Sequence, residues 1–251
     1  MNDNAEIVVI TGGTRGIGRA IAEQFCHPSA HLILTYLQDS DSAATAVEQL
    51  RPKCASVAAR QVNMNDPEDI GTFADFVSSH YPHVSRLINN AAAGVFRDLE
   101  NLKLKHWDYT YDVCVRSIWH LSVLLKPQLR KAPGGATIIH ISSLGSQRYL
   151  ANYAAIGTAK AALESLGRYM AMEFAGDNIN VNTVSSTTIA THALDRYPTQ
   201  QKLYEATLER TPAGRLVSTD DIAGVVHFLC SPRAAMIRGQ VIVVDGGFSL
   251  T

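Results

Sequence analysis

The sequence predicts an α/β protein built on one doubly wound parallel sheet of about seven strands, with helices on both faces. Three observations lead there. Short runs rich in β-branched residues alternate with longer helix-patterned stretches from end to end. Several of those runs are apolar at every position rather than every second one, as suits strands covered by helices on both sides. The first run leads directly into the glycine-rich turn Thr11-Gly12-Gly13-Thr14-Arg15-Gly16-Ile17-Gly18 and then a helix pattern, the opening βα junction of such a sheet.

The expected strands are residues 7–10, 32–36, 56–62, 86–89, 137–141, 179–184 and 240–244. Helices are expected at 16–26, 42–51, 67–80, 106–131, 152–175 and 219–230. Pro67 opens its helix at the first helical position, where a missing N–H costs least. Pro133-Gly134-Gly135 ends the long middle helix before the fifth strand. Residues 188–217, with Pro198, Pro212 and Gly214, have the weakest pattern and read as a loop or lid over a ligand. No repeat, low-complexity tract or linker separates a second unit, so residues 1–251 read as a single domain.

Composition narrows the function. At 251 residues and 46 % hydrophobic, the chain can bury a full core. A net charge of −1 provides no field for nucleic acid or an anionic membrane, and Lys103 and Lys105 read as solvated surface. Cys26, Cys54, Cys114 and Cys230 lie far apart without CxxC spacing, so a reduced cytosol is expected and a disulfide framework is not. The nine histidines form no HExxH, and His80 and His83, flanking Tyr81-Pro82, are too few for a metal site; no metal is expected. The N-terminal residues enter a strand without a signal peptide, and no apolar run reaches the roughly 20 residues that span a bilayer. The expected setting is cytoplasmic.

The glycine-rich turn lets the backbone approach a pyrophosphate, and the N–H groups and dipole of the following helix face its charge. An acidic side chain at the tip of the second strand would accept the 2′-hydroxyl of NADH. The run here is Leu34-Thr35-Tyr36-Leu37-Gln38, with no carboxylate, while Arg15 can fork onto a 2′-phosphate. Asp39 and Asp41, just beyond, pull the other way. NADPH is favoured over NADH.

Downstream, Tyr153 and Lys160 lie seven residues apart in NYAAIGTAKAALESLGRYM, on what reads as one helix, with Ser143 ten residues before the tyrosine. Together with the glycine turn, Asn89-Asn90-Ala91-Ala92, Ile141-Ser142-Ser143, Val181-Asn182 and Val244-Asp245-Gly246-Gly247, this ordered set resembles the short-chain dehydrogenase/reductase family over nearly the whole chain. The resemblance implies a Rossmann fold and a reductase in which Tyr153 stabilises or protonates the substrate oxygen. Lys160 would lower the tyrosine pKa and hold the nicotinamide ribose, and Ser143 would bond the same oxygen. It further implies a cofactor site of Gly12, Thr14, Arg15, Gly16, Ile17, Gly18, Asn63, Met64, Asn90, Ala91, Lys160, Ile189 and Thr191. A homotetramer is implied as well, with the middle helix as a subunit contact.

Most members of that family space the pair as Tyr-x3-Lys, but the residue four before Lys160 is Ile156. A seven-residue spacing is about two helical turns, which keeps the pair on one face with the phenol about one turn further from the lysine. Reducing a ketone puts hydride on the carbon that bears the protonated oxygen. Reducing an enoyl thioester puts it on the β-carbon, three bonds from the oxygen that gains charge, and a displaced phenol fits that geometry better. This spacing, in the context Ser142-Ser143-Leu144-Gly145-Ser146, resembles the NADPH-dependent type III enoyl-acyl-carrier-protein reductases. It implies an acyl thioester substrate, on acyl carrier protein or coenzyme A, in fatty-acid or specialised polyketide-like metabolism.

Other features depart from the family. Cys114 stands where an Asn usually holds a water linked to the lysine. Ser185-Ser186-Thr187-Thr188 replaces the usual Pro-Gly, and Ser186 and Thr187 read either as hydroxyls that hold the nicotinamide end or as ordinary loop residues. Tyr149 reads as a second acid or as a core or rim aromatic. The competing functions are a ketone, 3-oxoacyl-thioester or alcohol oxidoreductase of the same fold, and a cofactor-binding regulator without turnover.

Overall fold

The computed structural model describes residues 5–189 and 200–251. Seven parallel strands form one sheet: β1 (Glu6–Ile10), β2 (Ala30–Tyr36), β3 (Ser56–Gln61), β4 (Arg86–Asn89), β5 (Ala136–Ile141), β6 (Ile179–Ser186) and β7 (Val241–Val244). Their order is 3-2-1-4-5-6-7, so the winding reverses between β1 and β4, and the crevice beyond those two carboxyl ends is where such sheets bind ligands.

Side-chain alternation explains the two layers. Ile7 and Val9 of β1 enter one core while Val8 and Ile10 enter the other, and Ile33 of β2 opposes Leu32 and Leu34 in the same way. Each such fully buried side chain contributes about 1.5–3 kcal/mol over leaving it in water. One face is covered by α1 (Gly16–Gln24), α2 (Ser40–Leu50) and α8 (Thr219–Leu229), through residues such as Ile21, Leu50 and Val226. The opposite face is covered by α3 (Pro67–His80), α5 (Ser117–Leu129) and α6 (Ala154–Glu173), through Phe73, Leu125 and Met170. Helix starts follow their sequence signals. Asp66 caps α3 ahead of Pro67 by accepting from the Glu68 N–H at 3.0 Å, and Ser218 with Asp221 forms a reciprocal capping box on α8.

The structure corrects four expectations. The middle helix is not continuous: α4 (Leu104–Tyr111) gives way to a π turn at Asp112–Arg116 before α5. Residues 188–217 are not all loop, since α7 (Gln200–Glu209) lies within them. Tyr153 is not inside its helix but caps it; Asn152 turns the chain with φ of 57° and α6 begins at Ala154. And Cys26 and Cys54 form a disulfide, with Cα atoms 5.4 Å apart. Cys26 follows α1 and Cys54 precedes β3, so the two loops flank adjacent strands at one end of the sheet although the residues are far apart in sequence. Cys114 and Cys230 are free and buried.

His83 donates from Nε2 to the Ala5 carbonyl at 3.0 Å, and His80 lies against the Phe76 ring with centroids 4.4 Å apart. Among the described residues, no three His, Cys, Asp or Glu side chains cluster closely enough to hold a metal ion. No helix among them is long and apolar enough to cross a membrane.

Candidate active site

The glycine turn fills the crevice at the end of β1. Gly12 and Gly16 have φ of +64° and +55°, a left-handed backbone that glycine adopts without strain. A Cβ on Gly18 would lie 2.2 Å from the Gly12 carbonyl oxygen and 2.6 Å from Asn90 Nδ2, so the turn closes only on a residue without a side chain. Asn90 locks the turn by donating from Nδ2 to the Thr11 and Gly12 carbonyls at 2.9 and 3.0 Å. The N–H groups of Asn90 and Ala91 both donate to Thr11 Oγ1 at 3.0 Å. Thr35 of β2 accepts from the N–H groups of Gly12 and Gly13 at 3.1 Å. Thr14 is buried in the turn, and Ile17 packs against the α1, α2 and α8 core.

The start of α1 is open in the way a pyrophosphate needs. Arg15 caps it with extended backbone, its side chain makes no capping bond, and the first turn has no acidic residue to neutralise the helix's positive end. A nicotinamide dinucleotide fits this cradle: α1 and the turn would hold the diphosphate. Arg15 Nη1 lies 3.4 Å from Asp39 Oδ2, just beyond the tip of β2, and Asp39 also caps α2 by accepting from the Ser42 N–H. Asn63 is exposed beyond β3, its Oδ1 accepting from the Asn65 N–H at 3.1 Å. The Met64 side chain is buried in the α3, α5 and α6 core. Ile189 is buried and bridges Val217 in parallel, while Thr191 lies outside the described residues.

Ser143, Tyr153, Lys160 and Cys114 converge at the ends of β5 and the start of α6. The Tyr153 ring lies on Gly145, where a Cβ would come within 2.5 Å of Cε1, and it stacks on Phe96 at 6.0 Å between centroids. Burial pushes the phenol pKa up to about 12; the Ser143 hydroxyl beside it works in the opposite direction, and Cys114 adds to the rise. Lys160 is 5 % exposed, and its Nζ donates to the Ile141 carbonyl at 2.7 Å. Burial lowers the lysine pKa, opposed by Cys114 and Glu164. At neutral pH the site thus presents a protonated phenol, a donor rather than a base.

Ile156 occupies the position where the usual spacing would put tyrosine. It is 7 % exposed, and a Cβ on Gly94 would meet its Cγ1 at 2.5 Å and Thr110 Cγ2 at 3.3 Å. That space is filled with hydrocarbon. Cys114 sits in the π turn with no exposed surface and donates from Sγ to the Ala93 carbonyl at 3.2 Å.

Ser186 spends its hydroxyl on the Val244 carbonyl at 2.6 Å, which is the ordinary-loop reading of that residue. Tyr149 is 90 % exposed and stands at the rim. One functional candidate escaped the sequence reading. Glu164 lies buried one turn beyond Lys160, and an acid at helical spacing gives no sign that it points inward rather than to solvent.

A family model described as enoyl-(acyl carrier protein) reductase matches residues 12–249. The chain is similar to 1-cyclohexenylcarbonyl-CoA reductase of Streptomyces collinus, with 32 % identity over 99 % of this chain and 88 % of that protein. Among solved structures it is similar to 7α-hydroxysteroid dehydrogenase complexed with NADH and 7-oxo glycochenodeoxycholic acid, at a TM-score of 0.89 and 30 % identity over 98 % of this chain and 97 % of that one. It is likewise similar to the Pseudomonas aeruginosa RhlG/NADP active-site complex, at a TM-score of 0.88 and 26 % identity over 99 % of both chains. With its 3-2-1-4-5-6-7 parallel sheet and glycine cradle, the chain belongs to the short-chain dehydrogenase/reductase family and is an NAD(P)-dependent oxidoreductase.

Proposed function

We propose that the protein is an NADPH-dependent reductase of trans-2-enoyl thioesters, resembling the type III enoyl-acyl-carrier-protein reductases. The observation that carries this reading is the placement of Tyr153 at the cap of α6, with Ile156 filling the place of the usual tyrosine. A phenol placed at the cap, ahead of the usual position on the helix, suits an oxygen remote from the carbon being reduced. NADPH, when bound, would supply the hydride that C3 of the substrate gains, and a proton from solvent would complete the reduction at C2. Tyr153 and Ser143 donate to the thioester oxygen as it gains charge, and Lys160 holds the nicotinamide ribose. Donors aimed at a developing oxyanion are each worth about 10²–10³ in rate. The substrate named by the Streptomyces collinus relative, a cyclohexenylcarbonyl thioester, is itself α,β-unsaturated, which supports the same chemistry.

The test is direct. Crotonyl-coenzyme A and NADPH should be consumed together, followed by loss of the reduced cofactor's absorbance, with butyryl-coenzyme A as product. Reduction of acetoacetyl-coenzyme A with crotonyl-coenzyme A untouched would refute the reading and favour the alternative, a carbonyl reductase or alcohol dehydrogenase. The likeness to the 7α-hydroxysteroid dehydrogenase complex supports that alternative.

Preference for NADPH is expected to rest on Arg15, which is 58 % exposed and makes a long 3.4 Å contact to Asp39. A 2′-phosphate takes the guanidinium in two charge-assisted bonds. Arg15→Ala should raise the NADPH KM by about ten- to a hundredfold, as expected for lost hydrogen bonds to a charged group, with the NADH KM nearly unchanged. Asp39→Asn keeps a competent cap for α2 while removing the competing anion, and should lower the NADPH KM. An NADPH KM unaffected by Arg15→Ala would take that residue out of the site. Trp119 on α5 and Met172 on α6 are 48 % and 79 % exposed, which supports assembly through these two helices as a homotetramer.

A further inference from the structure

The buried carboxylate of Glu164 ties the turn that carries Ser143 to the helix that carries Lys160. It is 6 % exposed, and its Oε1 accepts hydrogen bonds from the hydroxyls of both Ser142 and Ser146 at 2.6 Å. Its Oε2 accepts from Gln147 Nε2 at 3.5 Å. Ser142 and Ser146 bracket Ser143, whose own hydroxyl accepts from the Gly145 N–H at 3.3 Å and faces Tyr153.

The turn's remaining bonds do not fix it on α6. Ser146, Gln147 and Arg148 donate backbone N–H groups to Ser143 and Leu144 within the turn, and the Ser142 N–H goes to Val184 of β6. Close contact with α6 comes from paired glycines, since a Cβ on Gly157 would meet the Gly145 carbonyl oxygen at 2.5 Å. Contact of that kind lets the turn approach but does not fix it laterally. A buried carboxylate with two short hydroxyl bonds does, because charge-assisted bonds are strong and an unpaired buried charge is costly.

We infer that Glu164 is a positioning residue: it clasps the 142–147 turn to α6 and thereby sets the Ser143 hydroxyl against the Tyr153 phenol. The inference goes beyond the proposed reaction and holds whichever carbon accepts the hydride.

The test compares Glu164→Ala, Glu164→Gln and the pair Ser142→Ala/Ser146→Ala, using whichever of crotonyl- or acetoacetyl-coenzyme A the unaltered enzyme reduces. Losing a clasp of this strength should cost Glu164→Ala about thirtyfold in kcat with the NADPH KM unchanged, and the amide variant, which can still accept both hydroxyls, should recover most of that loss. Combining Glu164→Ala with the serine pair should lower kcat no further than either alone, as for groups that act as one unit. In hydrogen exchange, the amides of Ser146, Gln147 and Arg148 should lose protection in Glu164→Ala while those of β5 keep theirs. That measurement decides the matter even if neither thioester is reduced. An unaltered kcat, losses that multiply with the serine pair, or unchanged protection at 146–148 would overturn the inference.

Discussion

Replacing Tyr153 by Phe should lower kcat for enoyl-thioester reduction by about 10²–10⁴, the usual worth of a positioned acid, while NADPH affinity and thermal stability stay at the unaltered level. The ring keeps its seat on Gly145 and its stacking with Phe96, so the substitution removes only a hydroxyl. That hydroxyl is the relevant group because its pKa near 12 keeps it protonated at neutral pH, able to donate to an oxygen that gains charge. Steady-state kinetics beside a fluorescence titration of NADPH separate the two effects. Alkene saturation at full speed in Tyr153→Phe would leave the proposed chemistry without its donor.

The second large effect is expected at Gly18. A methyl group there would sit 2.2 Å from the Gly12 carbonyl, and that backbone is already committed to a left-handed turn and to Asn90. Overpacking of this kind costs about 1–3 kcal/mol where neighbours can adjust, and here the neighbour is main chain. The displaced turn also leads into the start of α1, the proposed diphosphate site. Gly18→Ala should therefore weaken NADPH binding on the order of a hundredfold, equivalent to about 2.8 kcal/mol, with a lowered melting temperature. Gly71→Ala on α3, where an added Cβ meets nothing within 4 Å, is the matched control. Wild-type NADPH affinity in Gly18→Ala would place the cradle elsewhere.

The strands were legible because hydrophobic side chains on both faces leave an unmistakable trace, as in Ile7-Val8-Val9-Ile10. Ser143, Tyr153 and Lys160 were singled out by their resemblance to a family motif, whereas spacing alone put Tyr153 one residue too far inside its helix. Other features left no local signal. The π turn at Asp112–Arg116 contains neither Gly nor Pro, and nothing in Asp-Val-Cys-Val-Arg marks a break. In α7, Gln200–Glu209 is mostly polar, with Thr207 its buried residue, so no apolar stripe declared it. Glu164 looked like any solvated acid; only the fold shows that two serine hydroxyls from another segment await it. The shift of the phenol to higher pKa was equally hidden, since enclosure is a property of the assembled pocket.

The Cys26–Cys54 bond encloses all of β2 and α2, the stretch that bears Thr35 and Asp39. Cross-linking residues 28 apart removes chain entropy worth about 3–4 kcal/mol from the unfolded ensemble, by the simple loop model. The β2 and α2 edge of the molecule is thereby a closed ring of polypeptide, braced independently of any ligand. The flank built from α7 and β7 has no such covalent brace among the described residues, so the cross-link stiffens one edge of the sheet alone.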